Sequence, residues 1–236
     1  MINSHAERDV LIRVLLGLFL GVFTNFAAGQ KIVTFPLQDN SAQVQGDLYG
    51  EGPRGLVLAH GGRFNKESWK KQAEVFAKSG FLVLAVRFRG DRLNPDGSPS
   101  SEGSGPENTA DLIAAVSYLH RIGAKMVSAV GGSLGGDAVG EASAAMPAGS
   151  IDRIVLLGSD GGDAPEKLKS RKLFIVARDD SNGAGLRLPG ISEHYTRATE
   201  PKKLVVLEGT AHAQFLFDTE QGPRLLNEIL RFLKEP

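Results

Sequence analysis

The chain has no cysteine among its 236 residues. That excludes disulfides, thiolate metal sites and a cysteine nucleophile. It also excludes a bacterial lipoprotein anchor, which needs a cysteine at its processing site. An excess of one charge is missing too: 27 lysines and arginines balance 27 aspartates and glutamates. There is no long basic run, so no overall field gathers nucleic acid or acidic lipid. Internal repeats are absent. The apolar run Val14–Phe26 has thirteen residues, short of the about 20 that cross a bilayer.

That run is flanked by Arg8 and Arg13 before it and by Ala27-Ala28-Gly29 after it. A charged start, an apolar middle and small residues together predict a secretory signal cleaved near Ala28 or Gly29. Glu7 and Asp9 fit that pattern less well. The alternatives are an uncleaved anchor, the one reading that would put the protein at a membrane, and an ordinary N-terminal helix. The expectation is therefore a leader over 1–29, one domain over 30–236, and a periplasmic or secreted protein. Apolar and charged fractions of 42% and 23% suit a single soluble core.

After the leader, apolar strand-like runs alternate with helix-like ones. Strands are predicted over 31–37, 43–49, 55–60, 81–87, 125–130, 152–158, 172–178 and 203–208. Helices are predicted over 66–79, 107–121, 135–146, 163–170 (short), 189–199 and 219–234. The first two strands form an antiparallel pair. The rest of the pattern argues a mainly parallel sheet of eight strands with helices on both faces. The stretch 90–106, rich in Gly, Pro, Ser and Asn, reads as a mobile loop, and 181–189 as a shorter one. Both follow strand C-terminal ends, where binding loops gather.

The stretch Gly131-Gly132-Ser133-Leu134-Gly135-Gly136 stands between a strand and a small-residue helix. Glycine accepts backbone angles that a Cβ forbids and lets strand and helix pack closely. The pattern fits a nucleophile elbow that lifts the Ser133 hydroxyl above the sheet. A helix N-terminus beside it favours an oxyanion.

A serine hydroxyl needs a base. Of the five histidines, His5 precedes the leader's apolar run, and His120 and His194 read as surface residues on helices. His60 ends a strand and precedes two glycines. His212 follows the strand 203–208 by a short loop, at the strand end where open α/β sheets carry chemistry. It also comes after Ser133, as the order Ser…Asp/Glu…His requires. An acid must hold the imidazole. Asp179 and Asp180 follow a strand, and being adjacent they point opposite ways, so one is the acid and its neighbour is solvated. Asp160, at another strand end, is the runner-up. Asp137, Asp152 and Asp163 read as helix or cap positions.

With the elbow at Ser133, the strand-end His60-Gly61-Gly62, the strand-end Asp180 and the late His212, the chain from Lys31 to Pro236 resembles the α/β-hydrolase family. The resemblance implies the α/β-hydrolase fold and two oxyanion amides, Gly62 and Leu134. Members often read Gly-x-x-Asp at the acid strand. Ala177-Arg178-Asp179-Asp180 keeps that spacing without the glycine, which favours Asp180. The usual strand ending Asp-x-Arg-Gly reads Arg87-Phe88-Arg89-Gly90 here, a departure at a structural turn. Many members insert a helical lid after the strand that follows the elbow helix. The stretch 158–172 has room for only one short helix, so an open site is expected.

The expected activity is cleavage of a carboxylic ester or thioester through an acyl-enzyme, with Ser133, His212 and Asp180 as triad, Gly62 and Leu134 as oxyanion hole, and no metal or organic cofactor. The expected partner is a small-molecule ester, with no nucleic acid, and the protein is expected to be a monomer. Two alternatives remain: the same triad passing the acyl group to another acceptor as an acyltransferase or perhydrolase, and a non-catalytic binding protein that keeps the fold. Phe215 and Phe217 read as core residues, and Trp69 and Phe64 as either helix packing or pocket wall.

Overall fold

The structure, a computed structural model, describes residues 29–101 and 105–235. In chain order the strands are β1 (Lys31–Pro36), β2 (Gln43–Tyr49), β3 (Arg54–Ala59), β4 (Leu82–Arg87), β5 (Asp91–Leu93), β6 (Pro99–Ser101), β7 (Met126–Gly132), β8 (Arg153–Leu157), β9 (Arg171–Ala177), β10 (Ser181–Asn182), β11 (Gly185–Leu186) and β12 (Lys202–Leu207). The helices are α1 (Lys70–Lys78), α2 (Gly105–Arg121), α3 (Leu134–Ala145), α4 (Leu188–Arg197) and α5 (Gly222–Lys234). Short 3₁₀ turns cover Lys66–Trp69, Pro165–Lys167 and Ala213–Asp218.

Eight strands form one sheet in the order β1-β2-β4-β3-β7-β8-β9-β12. β1, β2 and β4 pair antiparallel, and β4, β3, β7, β8, β9 and β12 run parallel. This is the eight-stranded, mainly parallel sheet expected from the sequence. Helices cover both faces, so the inner strands read as unbroken apolar runs. Along β3, Leu56 and Leu58 pack on α1 and α5, with Phe76, Leu225 and Ile229. Val57 and Ala59 face α2 and α3, with Leu112 and Val139. On α5, Leu225, Ile229, Phe232 and Leu233 recur at helical spacing and are all buried.

Three segments differ from the sequence expectation. The helix predicted over 66–79 is a 3₁₀ turn followed by α1, because the Asn65 side chain caps the Ser68 amide at 3.2 Å and buried Lys66 pairs with Asp47 at 2.7 Å. The helix predicted from 219 begins at Gly222, since Ala213–Asp218 first makes its own 3₁₀ turn. The loops 90–106 and 181–189 each contain a two-stranded hairpin, β5 with β6 and β10 with β11. The segment between β8 and β9 carries only the turn at Pro165–Lys167, and no lid-like helix stands there. The leader expected over 1–29 lies outside the described residues up to Ala28.

Candidate active site

β7 runs two residues further than the apolar pattern suggests, to Gly132, and the chain then turns at Ser133 into α3. Ser133 has φ 50° and ψ −122°. A left-handed φ at a residue with a Cβ costs about 1–3 kcal/mol and persists only where the surroundings impose it. Here the Ser133 amide donates to Leu157 O at 2.9 Å, and its carbonyl accepts from the amides of Gly136 and Asp137 at 2.6 and 3.1 Å. A Cβ on Gly131 would lie 2.2 Å from Gly135 O, and one on Gly135 would lie 2.4 Å from Ala59 O. Strand, turn and helix therefore pass each other only as glycines. Ser133 occupies the helix N-cap, where serine usually bonds the helix amides. It makes no such side-chain bond, which leaves the hydroxyl for another partner.

That partner is His212, whose Nε2 lies 2.8 Å from Ser133 Oγ. Its Nδ1 lies 2.7 Å from Asp180 Oδ2. A carboxylate only accepts, so Nδ1 carries the proton and Nε2 offers its lone pair to the serine hydroxyl. The Asp180 side chain is 1% exposed and that of His212 is 25% exposed, so the acid is sealed while the base is reachable. Asp180 stands just past β9, where its amide bonds Ala177 O at 3.2 Å. Asp179 is exposed. Asp160 faces a different histidine, 4.0 Å from His194 Nδ1. The structure thus brings Ser133, His212 and Asp180 together, and not Asp160.

Leu134 is the first residue of α3, so its amide is among those that helix geometry leaves without an intrahelical partner. Gly62 lies in a turn closed by the Phe64 amide on Gly61 O at 3.0 Å. A Cβ on Gly61 would lie 3.5 Å from Ser133 Cβ, so this turn rests against the elbow. His60 is fully buried beneath it, with Nδ1 donating to Gly61 O at 3.0 Å and Nε2 3.1 Å from Asp91 Oδ2. That contact ties Asp91, the first residue of β5, to the end of β3.

Several readings change. His120 is no free surface residue: its ring spans the carbonyls of Ala124 and Ser150 at 3.1 and 2.8 Å. His194 is only 19% exposed at its side chain. Phe215 is 40% exposed rather than core, and tilts against Phe64 at 4.7 Å between ring centroids. Trp69 is fully buried, edge-on to Phe217 at 5.8 Å, which makes both packing residues. Gln214 was missed entirely. It bridges Gly61 N and Ser68 Oγ at 2.8 and 2.9 Å. No local pattern marks it, since both partners lie about 150 residues earlier.

A cavity of about 260 Å³ opens on Ser133, with Asp137, Ser159, Asn182, Leu186 and Arg187 in its walls. The β10–β11 hairpin supplies one side of it, as the position of its loop suggested. Burial pushes the Asp137 carboxyl up to about 6, opposed by the Ser159 hydroxyl and reinforced by Asp160 and Glu141. The folded state therefore binds this proton more tightly than the unfolded chain, and the penalty for ionising it grows as pH rises from about 4 to 6. Above that it is fully present. Asp137→Asn, which can still accept the 2.6 Å bond from Ser159 Oγ, should raise stability at pH 8 by about 1–3 kcal/mol. At pH 4.5 the gain should be much smaller, a difference that denaturant titrations at both pH values would show. Among the described residues no group of three or more His, Asp or Glu side chains is gathered to hold a metal.

No family model and no curated protein matches the chain. Solved structures do. The esterase Pf2001 of Pyrococcus furiosus superposes with a TM-score of 0.69 at 18% identity, covering 88% of this chain and 92% of its own. A dienelactone hydrolase from Anabaena variabilis gives 0.63 at 21% identity, covering 87% and 95%. The esterase RhEst1 from Rhodococcus gives 0.65 at 15% identity, covering 86% and 98%. Identities this low speak for the architecture: the chain has the α/β-hydrolase fold.

Proposed function

We propose that the protein is a serine hydrolase that cleaves small carboxylic esters or thioesters. The observation that carries this is the unbroken hydrogen-bonded chain from Ser133 Oγ through His212 to buried Asp180, at 2.8 and 2.7 Å. Ser133 Oγ attacks the substrate carbonyl carbon, and His212 Nε2 takes its proton. Asp180 holds the imidazole by Nδ1 and stabilises the imidazolium. The amides of Gly62 and Leu134 receive the charge on the carbonyl oxygen. His212 returns the proton to the departing alcohol or thiol. Water, deprotonated by the same imidazole, then frees the acid from Ser133. The similar structures named as esterases agree with this reading.

The cavity at Ser133, about 260 Å³, lies below the about 300–1,000 Å³ of common ligand pockets, and its walls are largely polar. p-Nitrophenyl acetate and butyrate should therefore be turned over best. Each further buried CH₂ would gain about 0.8 kcal/mol in an apolar tunnel, and here that gain should be missing. kcat/KM should fall at least about tenfold between butyrate and decanoate, the range in which one misfitted group discriminates. A rise with chain length would contradict a small polar site. Added alcohol or peroxide distinguishes the acyl-transfer reading: if it diverts most of the acyl group from water, the protein is a transferase or perhydrolase. By this proposal the leader exports the enzyme to the periplasm or beyond, where it acts as a monomer.

A further inference from the structure

Gly61 is held at both ends. Its carbonyl accepts from Phe64 N at 3.0 Å and from His60 Nδ1 at 3.0 Å. A trans peptide is planar, so fixing that carbonyl also fixes the opposed direction of the Gly62 N–H. Its own amide donates to Gln214 Oε1 at 2.8 Å. Gln214 is 5% exposed and spends its other end on Ser68, with Nε2 donating to Oγ at 2.9 Å. Ser68 Oγ in turn donates to Asn65 O at 2.6 Å. The side chain also lies against the elbow strand: a Cβ on Gly132 would meet Gln214 Cγ at 3.2 Å. Just before it, Ala213 has φ 49°, a conformation that a residue with a Cβ rarely adopts. The chain accepts that cost immediately after His212, and the result aims Gln214 back under the Gly61-Gly62 turn.

One buried amide thus touches three segments that the reaction needs in fixed relation: the turn carrying Gly62, the strand carrying Ser133 and the loop carrying His212. We propose that Gln214 is a positioning residue, which locks the Gly62 oxyanion donor to the loop that carries the base. Its place is inferred on the serine-hydrolase reading and adds to it. An amide serves here because the site asks for one acceptor and one donor at the two ends of a planar group. Without Gln214 Oε1 the buried Gly61 N–H loses its partner, and the turn shifts to find another. Misplacement of a catalytic group by about 1 Å costs on the order of 10²-fold in rate. Substrate binding, which depends on the cavity across Ser133, should change little.

The test compares wild type, Gln214→Leu, Gln214→Glu and Ser68→Ala, using p-nitrophenyl acetate and an aryl trifluoromethyl ketone, which adds to the serine as an oxyanion. Gln214→Leu should lower kcat about 10- to 100-fold with KM nearly unchanged. Ketone affinity should fall by the same factor, because both report the oxyanion hole. Gln214→Glu, held neutral by burial, keeps an acceptor for Gly61 N–H and an O–H donor for Ser68 Oγ, so it should recover most of kcat below neutral pH. A merely structural glutamine would lower the melting temperature in both variants, leave ketone affinity intact and show no rescue. Gln214→Leu with wild-type kcat, or with normal ketone affinity, overturns the proposal. If that variant yields no soluble protein, Ser68→Ala decides: kcat and ketone affinity should fall together, and an unchanged pair overturns it. A wild-type enzyme that turns over no ester would instead remove the serine-hydrolase reading itself, an outcome distinct from any of these.

Discussion

Ser133→Ala should lower kcat for ester hydrolysis by about 10³-fold or more, the usual cost of removing a member of such a triad. The loss is expected to be this large because, among the described residues, the hydroxyl hydrogen-bonded to His212 Nε2 is that of Ser133, at 2.8 Å. Folding should survive, since the hydroxyl caps no helix amide and the residue is only half-buried. Alanine keeps the φ of 50° that the elbow imposes, so the variant inherits the strain. Ser133→Gly removes it and should melt higher than Ser133→Ala, while being equally inactive. That ordering checks the elbow independently of chemistry. Retention of more than about a tenth of wild-type kcat in Ser133→Ala would mean that the nucleophile lies elsewhere.

Asp180→Asn should be nearly as damaging, at about 10⁴-fold in kcat. The asparagine amide would donate to His212 Nδ1, which lies 2.7 Å from the carboxylate today. The proton would then sit on Nε2, where it faces Ser133 as a donor and cannot accept. Nothing would remain to stabilise the imidazolium. Asp179→Asn, one residue away and exposed, should stay within about threefold of wild type, as surface changes away from a site do. Asp160→Asn removes a pocket wall group rather than the imidazole's partner, so it should alter KM more than kcat. Steady-state kinetics on the three variants give the ranking. A mild Asp180→Asn with a severe change at either of the others would reassign the acid.

The parts that were legible in the sequence were those set by short-range constraints. Covered on both faces, the inner strands had to be apolar throughout, and they stood out against amphipathic helices such as α5. The elbow is legible because its glycines are required within a few residues of each other, two of them, Gly131 and Gly135, where a Cβ would strike backbone. Alternation at a strand end requires only that one of Asp179 and Asp180 be solvated; the preference for Asp180 comes from the Gly-x-x-Asp spacing that the α/β-hydrolase resemblance supplies. What escaped depended on contacts distant in sequence. His120 looks like a helix-surface residue until Ser150, thirty residues on, closes over it. Gln214 looks like any polar residue near a helix start until Gly61 arrives from the other half of the chain. Phe215 reads as core because phenylalanine is usually buried, yet on the 3₁₀ turn Ala213–Asp218 it is 40% exposed and tilts against Phe64, about 150 residues earlier in the chain.

Ser133, activated by His212, should react as a nucleophile. The most direct measurement is mass spectrometry of the full-length protein after exposure to a fluorophosphonate, followed by peptide mapping. One adduct per chain is expected, on the peptide carrying Ser133. It should be missing from Ser133→Ala and form far more slowly in Asp180→Asn. A wild-type chain that stays unlabelled, or that carries its adduct on another residue, would contradict it.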